Sequence, residues 1–499
     1  MNETLTNPVP AVPGIVPADD IKSKVNIAVV DTTLRDAHQC LWATRMTTAH
    51  MLPVADWMDN IGFERIDLAG TIQFDVCVRY LKENPWERLR LMSERITKTP
   101  MSSFTRSKSI MSFDVLPDDI VELWVERLVA NGIREVGTFD GLNDVDNMLV
   151  TIDAARKLGV RTIGALAYGL SPVHTDEVFV KAATALVQRG KVDAIWLKDA
   201  GGLLTVDRIR SLVPALKKAI GTVSLELHSH CMTGVAPQVY LEGIAAGADC
   251  VHTSIAPLAN GAAQPSTQST VKNLRALGFR VDLDDALVDR VGEHFRRVAE
   301  QEGKPLGIVQ EYDAFHYEHQ LPGGMLSNFR SQLAELGMMH KFQEVLVECA
   351  RVRKELGYPI LITPFAQFVG TQAVFNVLHG ERYRIVPDEV KKYALGYFGK
   401  LLAPVEPDVL DRIISNGSPQ IALTPRPLQP AVARLRKQYP NMNDDERILR
   451  FMYAGSQVDD MLAAGAMKTD YVFEKPLVRL MRELAARKVT RVYFGATGT

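Results

Sequence analysis

The feature that most constrains this chain is a regular alternation of short apolar runs with amphipathic segments between residues 26 and 303. The apolar runs predict eight strands: NIAVVDTT (26–33), RIDLAG (65–70), MSSFTR (101–106), EVGTFD (135–140), RTIGALAYG (161–169), AIWLKDAGG (194–202), SLELHSHC (224–231) and CVHTSIAP (250–257). The segments between them, such as VDRIRSLVPALKKAIG, have helical spacing. An open doubly wound sheet would also alternate, but DTTLRDAHQ is not the glycine-rich loop expected after its first strand. We therefore predict an α/β fold, a (β/α)8 TIM barrel.

The two ends of the chain differ from this pattern. Residues 1–25 form a Pro/Val-rich segment without a basic start or a continuous apolar run, which predicts a flexible N-terminal arm and not a signal peptide. Beyond the barrel, residues 304–499 are mostly helical in pattern and are punctuated by Gly and Pro. We expect three parts: the arm, a barrel domain over 26–303 and a helical C-terminal domain over 304–499.

Composition excludes several classes of function. The net charge of −2 provides no electrostatic basis for binding nucleic acid or a membrane surface. No apolar stretch reaches the length of a membrane span. The five cysteines are scattered and form no CxxC pair, which favours reduced thiols and a cytoplasmic location.

Polar residues at the predicted strand ends indicate a metal site. In a (β/α)8 barrel the active site lies at the carboxyl ends of the strands. His228 and His230 are two residues apart on one strand, so both imidazoles point to the same face. With Asp36, which follows the first strand, they form a set of ligands suited to a divalent metal. The alternative is a pair of hydrogen-bonded histidines that only line the barrel mouth.

Lys198 ends the sixth predicted strand and should point into the same mouth. Burial lowers the pKa of an amine and makes it nucleophilic, so this lysine could form a Schiff base with a carbonyl or a carbamate with CO2. It could also be a structural partner of Asp199 or Asp36. The neighbouring histidines favour the carbamate, whose oxygen would complete a metal shell.

Several motifs occur in an order that resembles a known family. They are DTTLRDAHQCLWATRM, FDVCVRYLKENPWERLR, LSPVHT, WLKDAGGLL, LELHSHCMTGVA, LPGGMLSN, TPFAQFVGTQAVFNV and GYFGK. From about residue 27 to 430 the chain is similar to the carboxyltransferase component of biotin-dependent carboxylases. That family includes pyruvate carboxylase, the oxaloacetate decarboxylase α subunit and the pyruvate-side subunit of transcarboxylase.

The resemblance implies a function and a set of residues. Asp36, carbamylated Lys198, His228 and His230 would hold Zn²⁺, Mn²⁺ or Co²⁺, and the acceptor would be a small 2-oxo acid. Further site residues would be Arg35, Gln39 and Arg106, which surround that acid in the family, and Asp75. The metal or Arg35 would stabilise the enolate formed as CO2 arrives or leaves. Biotin would come on a separate carrier protein, in a complex with a biotin carboxylase subunit, and the chain would form a homodimer.

Some substrate-side positions depart from the family pattern. Gly137 replaces the arginine of an RVFD motif, and GTIQ (70–73) replaces a Gly-Gly-Ala-Thr stretch just before Asp75. Phe113 stands where a tyrosine is expected. Ala262 replaces a threonine thought to carry a proton between biotin and substrate, a role that Ser266 or Thr267 could take only if the loop is shifted. These changes imply either another acceptor or the loss of transfer chemistry.

Lys468 requires separate treatment, because Ala-Met-Lys is also the biotin attachment sequence of carrier domains. Its flanks, SQVDDMLAAG and FEKPLVRLMRELAARK, predict helices instead of the glycine-rich strands of a carrier domain. We therefore do not expect biotin on this lysine. Two alternative functions remain open at this point: a biotin-independent metal-dependent lyase or Claisen-type synthase, and an inactive structural subunit of a carboxylase complex.

Overall fold

The computed structural model describes residues 26–335 and 337–487. Eight parallel strands follow the order of the chain and close into a barrel, with the last strand pairing with the first. They are β1 (Ala28–Asp31), β2 (Arg65–Gly70), β3 (Met101–Arg106), β4 (Glu135–Phe139), β5 (Arg161–Ala167), β6 (Ala194–Asp199), β7 (Ser224–Ser229) and β8 (Cys250–Thr253). The predicted (β/α)8 barrel is confirmed.

Several strands end before their apolar runs do, and buried carboxylates explain two of these ends. The Asp199 carboxylate accepts hydrogen bonds from the backbone N–H groups of Leu203 and Leu204, which turns the chain away after β6. Asp31 does the same after β1 by accepting from the backbone N–H and the hydroxyl of Thr33. The loops that carry the predicted site therefore start earlier than hydrophobic periodicity indicates.

Helices surround the barrel and continue into the C-terminal part. The first group is α1 (His38–Leu41), α2 (Thr48–Met58), α3 (Thr71–Val76), α4 (Pro85–Arg95), α5 (Asp118–Ala130), α6 (Val145–Lys157), α7 (Asp176–Ala185), α8 (Val206–Ile220), α9 (Ala236–Ala245), α10 (Thr267–Ala276) and α11 (Asp285–Glu302). The second group is α12 (His316–His319), α13 (Gly323–Glu335), α14 (Phe342–Glu355), α15 (Phe365–His379), α16 (Asp388–Ala394), α17 (Pro407–Asn416), α18 (Val432–Gln438), α19 (Asp444–Met452), α20 (Gln457–Ala463) and α21 (Pro476–Ala486). Three π-helical segments, Thr33–Ala37, Cys77–Leu81 and Leu186–Gly190, adjoin α1, α3 and α7.

A stack of aromatic rings fills the barrel interior beneath its mouth. Phe104 stacks on Phe139 at 5.4 Å and on Trp196 at 4.3 Å between ring centroids. Trp196 in turn stacks on the imidazole of His228 at 5.6 Å. The row runs from β4 through β3 and β6 to β7, so it supports one of the predicted metal ligands from below.

The helical C-terminal part packs in two places. Residues between Leu321 and Ile413 build a hydrophobic core of their own. The chain then returns to the barrel, where residues from Ala431 to Met461 join the barrel core. Two polar contacts fix this return, since Trp86 Nε1 donates to the Asp445 carbonyl and Arg127 pairs with the Asp445 carboxylate at 2.7 Å.

Three further predictions concern the N-terminal arm, Lys468 and membrane spans. The arm of residues 1–25 lies outside the described residues. Helices α20 and α21 flank Lys468 as predicted, and the lysine lies exposed between them. Within residues 26–335 and 337–487, no helix is long and apolar enough to cross a membrane.

Candidate active site

Four side chains converge on one buried point at the carboxyl end of the barrel. Asp36 lies in the π-helical turn after β1, Lys198 and His228 lie on β6 and β7, and His230 follows β7. Asp36 Oδ2 is 3.0 Å from His228 Nε2, 3.3 Å from His230 Nε2 and 3.9 Å from Lys198 Nζ. The strand register sets Lys198 directly beside His228. The structure thus brings together all four residues that were predicted to hold a metal.

Gln264, which the sequence analysis missed, is a further polar side chain at this point. Its Nε2 donates to Asp36 Oδ2 at 2.9 Å and lies 3.1 Å from His230 Nε2. Its Oε1 accepts from the hydroxyls of Thr32 and Ser254 at 2.9 and 3.1 Å, which fixes the direction of the amide. Its place in the loop after β8 is the one sequence signal that could have found it, since such loops build the mouth of a barrel.

The ionisation of the cluster follows from burial and from the central carboxylate. Burial by itself raises the pKa of Asp36, but the cations of Arg35 and Lys198 hold it well below its usual range. Burial lowers the pKa of His228 well below 6.5, and Lys198 lowers it further. Burial also lowers the pKa of Lys198 to about 8, against the attraction of Asp36. His230 differs, because Asp36 outweighs its burial and raises its pKa to about 10.

The donor set fits a divalent metal. Two imidazoles and a carboxylate have their donor atoms within 3.3 Å of one another, and nitrogen and oxygen donors of this kind suit Zn²⁺, Co²⁺ and Mn²⁺. His230 Nδ1 donates to the Ala262 carbonyl at 2.6 Å, which leaves Nε2 directed at the cluster. His228 is held in a similar way through its Nδ1, which lies 3.1 Å from His252 Nδ1. Asp36, His228 and His230 can therefore bind a metal, with Lys198 Nζ adjacent.

Arg35 joins the Asp36 cluster to the predicted substrate side. Its guanidinium pairs with Asp36 at 2.9 Å and with Asp67 of β2 at 2.5 Å, and both carboxylates are buried. Gln73 donates to the Arg35 carbonyl at 3.0 Å and to Gln39 Oε1 at 3.2 Å. The buried Gln73 Oε1 has no hydrogen-bond partner. Arg35 and Gln39 therefore lie beside the cluster, and the structure adds Asp67 and Gln73 as their partners.

The other two predicted site residues lie farther from the cluster and have local partners. Arg106 ends β3 and donates to the carbonyls of Ile110 and Ser112 at 3.1 and 2.9 Å. Burial lowers its pKa to about 10, although Asp75 opposes this. Asp75 lies on α3 and pairs with Arg79 at 2.7 Å. The structure thus shows Arg106 and Asp75 in each other's electrostatic field, with no direct contact to Asp36, Lys198, His228 or His230 among those it records.

The substituted positions have physical explanations. A Cβ atom at Gly137 would lie 2.7 Å from Cε2 of the Phe104 ring, so the ring occupies the space of any side chain at position 137. Phe113 is half exposed and lies over the Arg106 guanidinium at 5.7 Å.

The two hydroxyls that could replace the expected threonine both have partners near the start of α10. Ala262 contacts the cluster through its carbonyl, which accepts from His230. The Ser266 hydroxyl caps α10 by accepting from the Ser269 N–H at 3.2 Å. The Thr267 hydroxyl is bonded to that of Thr253 at 2.8 Å.

Fold and site together define a class of barrel enzyme. A carboxylate, a lysine and two histidines gather at the strand ends, beside a buried arginine suited to a small anion. Enzymes of this class use such a centre to stabilise negative charge that develops on a small carboxylate substrate.

Comparisons with known proteins assign the family. Residues 317–472 match the family model of the conserved carboxylase domain. The chain is 45% identical over 405 residues to a pyruvate carboxylase subunit of Methanocaldococcus jannaschii, covering 81% of this chain and 71% of that protein. It is 34% identical over 392 residues to the 2-oxoglutarate carboxylase large subunit of Hydrogenobacter thermophilus, covering 78% and 60%.

A solved structure extends the likeness through the whole fold. The carboxyl transferase domain of Rhizobium etli pyruvate carboxylase, solved with pyruvate and biocytin, superposes with a TM-score of 0.80 at 26% identity. The match covers 89% of this chain and 78% of that one. The chain belongs to the carboxyltransferase family of biotin-dependent carboxylases.

Proposed function

We propose that this chain is a metal-dependent carboxyltransferase subunit that moves a carboxyl group between carboxybiotin and a small 2-oxo acid such as pyruvate or a related acceptor. The carboxyl carbon leaves the biotin nitrogen and bonds to the acceptor carbon, and a proton from that carbon goes to biotin. The observation that carries this proposal is the buried contact of Asp36 with His228, His230 and Arg35 in a chain of this family.

Asp36, Lys198, His228 and His230 would hold the metal, which we expect to be Zn²⁺, Mn²⁺ or Co²⁺. When bound, it would act as a Lewis acid that stabilises an enolate oxygen. Lys198 supports this assignment because its pKa, lowered to about 8 by burial against the pull of Asp36, leaves part of the amine neutral near pH 7.5. A neutral amine can react with CO2, and we propose that Lys198 ligates as its carbamate.

The chain's own residues would bind and orient the acceptor. Arg35 would hold the acceptor carboxylate, because its guanidinium is buried beside the cluster and kept in place by Asp67. Gln39 and Gln73 form an amide pair next to it and would line the acceptor side of the site. Arg106 and Asp75 would act at the rim of the mouth, where Arg106 now donates to its own loop.

The partners follow from the family and from the relatives' names. The Methanocaldococcus jannaschii relative is named as one subunit of its enzyme, which supports an assembly in which a biotin carboxyl carrier protein and a biotin carboxylase subunit are separate chains. We also propose a cytoplasmic location, which fits the free, scattered cysteines, and a homodimer, which rests on the family resemblance. The two relatives described above are named for pyruvate and for 2-oxoglutarate, so both acids are candidate acceptors.

The test is decarboxylation of oxaloacetate by the purified chain, with and without free biotin, on a sample of measured metal content. We expect bound metal and decarboxylation that biotin stimulates. A Lys198→Met variant should lose both, whereas Lys181→Met, which changes an exposed lysine on α7, should behave like the wild type.

The other outcomes separate the alternatives. Rapid decarboxylation at the same rate with and without biotin would identify a biotin-independent lyase. Metal-loaded protein that decarboxylates no oxaloacetate would refute that acceptor and indicate another substrate. Well-folded protein that binds no metal would indicate a structural role within a carboxylase complex.

A further inference from the structure

A line of buried polar groups runs down the barrel from the proposed metal ligand His228. His228 Nδ1 lies 3.1 Å from His252 Nδ1, and His252 Nε2 lies 3.0 Å from Glu226 Oε2. Glu226 is also held by a bidentate ion pair with Arg65, of which one contact is 3.0 Å. All four side chains are at most 1% exposed. No part of this line was singled out by motif, apart from His228.

The carboxylate at the far end allows one consistent order of donors and acceptors along the line. The ion pair with Arg65 keeps Glu226 as a carboxylate, which only accepts. A metal on His228 Nε2 leaves the hydrogen of that ring on Nδ1, which then needs an acceptor at His252 Nδ1. His252 supplies this acceptor when its own hydrogen is on Nε2, where Glu226 at 3.0 Å is the nearer partner and Arg65 Nη2 lies at 3.3 Å. In this arrangement His228 Nδ1 donates, and the lone pair of His228 is on Nε2.

This arrangement favours the binding of a cation at the cluster. His228 Nε2 carries a lone pair and lies 3.0 Å from Asp36 Oδ2, which is an anion. Two acceptor atoms at that distance repel each other unless a positive group lies beside both of them. Two groups partly offset this repulsion. Lys198 Nζ lies 3.2 Å from His228 Nε2, and the Gln264 amide nitrogen lies 3.3 Å from it.

We propose that His252 and Glu226 are positioning residues that lock His228 in the tautomer whose Nε2 binds a divalent metal. This inference rests on the metal centre of the proposed function and adds two residues to it. The charged and titratable groups near His252 are Glu226, Arg65, His228, Lys198 and Cys250. Arg65 is also paired with Glu135 at 3.5 Å, so the carboxylate end of the line is itself held in place.

A purely structural role would not require this connection. The Arg65–Glu226 pair satisfies the buried charges by itself, and His252 could be replaced there by an apolar residue without leaving either of them unpaired. The distinguishing property is therefore the acceptor atom that His252 presents to His228. Outer-shell partners of metal-bound histidines typically change metal affinity about 10–100-fold when they are removed.

The experiment compares two substitutions at position 252 in the full chain. His252→Leu removes the acceptor, and His252→Asn keeps an acceptor oxygen near the place of Nδ1. We measure Co²⁺ and Zn²⁺ affinity by competition with a chromophoric chelator, and we record the visible absorption of bound Co²⁺. His252→Leu should weaken binding about 10–100-fold and alter the Co²⁺ spectrum, while His252→Asn should bind close to wild type. His294→Asn, a buried histidine bonded to the His50 carbonyl, is the control.

The outcomes are distinguishable. If wild type and His252→Leu bind Co²⁺ equally well with the same spectrum, the positioning role is overturned and the metal centre stands. If His252→Leu and His252→Asn lose affinity equally while thermal midpoints stay near wild type, the acceptor atom is not what matters and the proposal is also overturned. If wild type binds neither metal, the metal centre of the proposed function fails first.

Discussion

A Gly137→Ala substitution tests whether the Phe104 ring fills the space at position 137. In the structure, the Cβ of an alanine would lie 2.7 Å from Phe104 Cε2 and closer still to Cδ2. The ring has little room to retreat, because it is stacked on Trp196 at 4.3 Å and on Phe139 at 5.4 Å. Gly137→Ala therefore forces either a shifted ring or a displaced strand.

The expected cost follows from two opposing terms. Overpacking of a close-packed core costs typically about 1–3 kcal/mol. Replacing glycine within a strand returns about 0.5–1 kcal/mol, because the unfolded chain loses freedom. The two ranges combine to a net loss of about 0–2.5 kcal/mol. The tight stacking of Phe104 places the loss toward the upper end, which should lower the thermal midpoint by a few degrees. Phe104→Leu should relieve the clash, so the double variant should lose less than the two single variants together.

The assay is thermal unfolding of metal-loaded protein, with Gly190→Ala as the matched control. Position 190 gives a new Cβ only ordinary contacts, at 3.4 Å to Ile152 and Val192, so this variant should be as stable as wild type. If Gly137→Ala is as stable as Gly190→Ala, Phe104 does not fill the space at position 137. The arginine expected at that position by family resemblance would then be missing for another reason.

Three further predictions concern the site itself. Lys198→Ala should abolish metal binding and activity, which metal analysis and the decarboxylation assay measure together; retention of both would refute the carbamate. Ala262→Thr should raise biotin-dependent oxaloacetate decarboxylation if the missing hydroxyl limits proton transfer, and an unchanged rate would place that step elsewhere. Metal affinity should rise from pH 7 to pH 9, because His230, whose pKa Asp36 raises to about 10 despite burial, must lose a proton to bind. The raised pKa of His230 should also stabilise the metal-free protein, fully below about pH 6.5, and this stabilisation should disappear as the pH rises through about 10. A metal affinity that does not change with pH in chelator competition would contradict the assignment.

The barrel and the cluster of Asp36, Lys198, His228 and His230 could be predicted because each depends on local pattern. Every strand of a closed parallel barrel is buried on both faces, so it appears in the sequence as an apolar run. Parallel strands also end at the same edge, so chemistry-bearing residues at strand ends must meet. That rule alone places Asp36, Lys198, His228 and His230 together, and the observed 3.0–3.9 Å contacts of Asp36 agree with it.

The supporting residues could not be predicted in the same way. His252 and Glu226 lie inside strands, where periodicity indicates only that they are buried, and a buried histidine has many possible partners. Their connection to His228 depends on the register of β7 against β8, which the sequence pattern does not specify. The return of residues 431–461 to the barrel is equally hidden, because it rests on long-range partners such as Asp445 with Trp86 and Arg127, and Asp119 with the backbone of Ala431.

The departures from the family are confined to one half of the site. The side chains of the proposed metal site are held from several directions: Gln264 fixes Asp36, the Ala262 carbonyl fixes His230, and His252 contacts His228. On the proposed acceptor side, Gly137 and Ala262 stand where the family resemblance implies an arginine and a threonine, and the Phe104 ring fills the space at position 137. A site that had lost its chemistry would have no reason to keep the costly buried charges of Asp36, Arg35 and Asp67 paired so closely. The pattern therefore favours a working centre turned to an acceptor with a more apolar face.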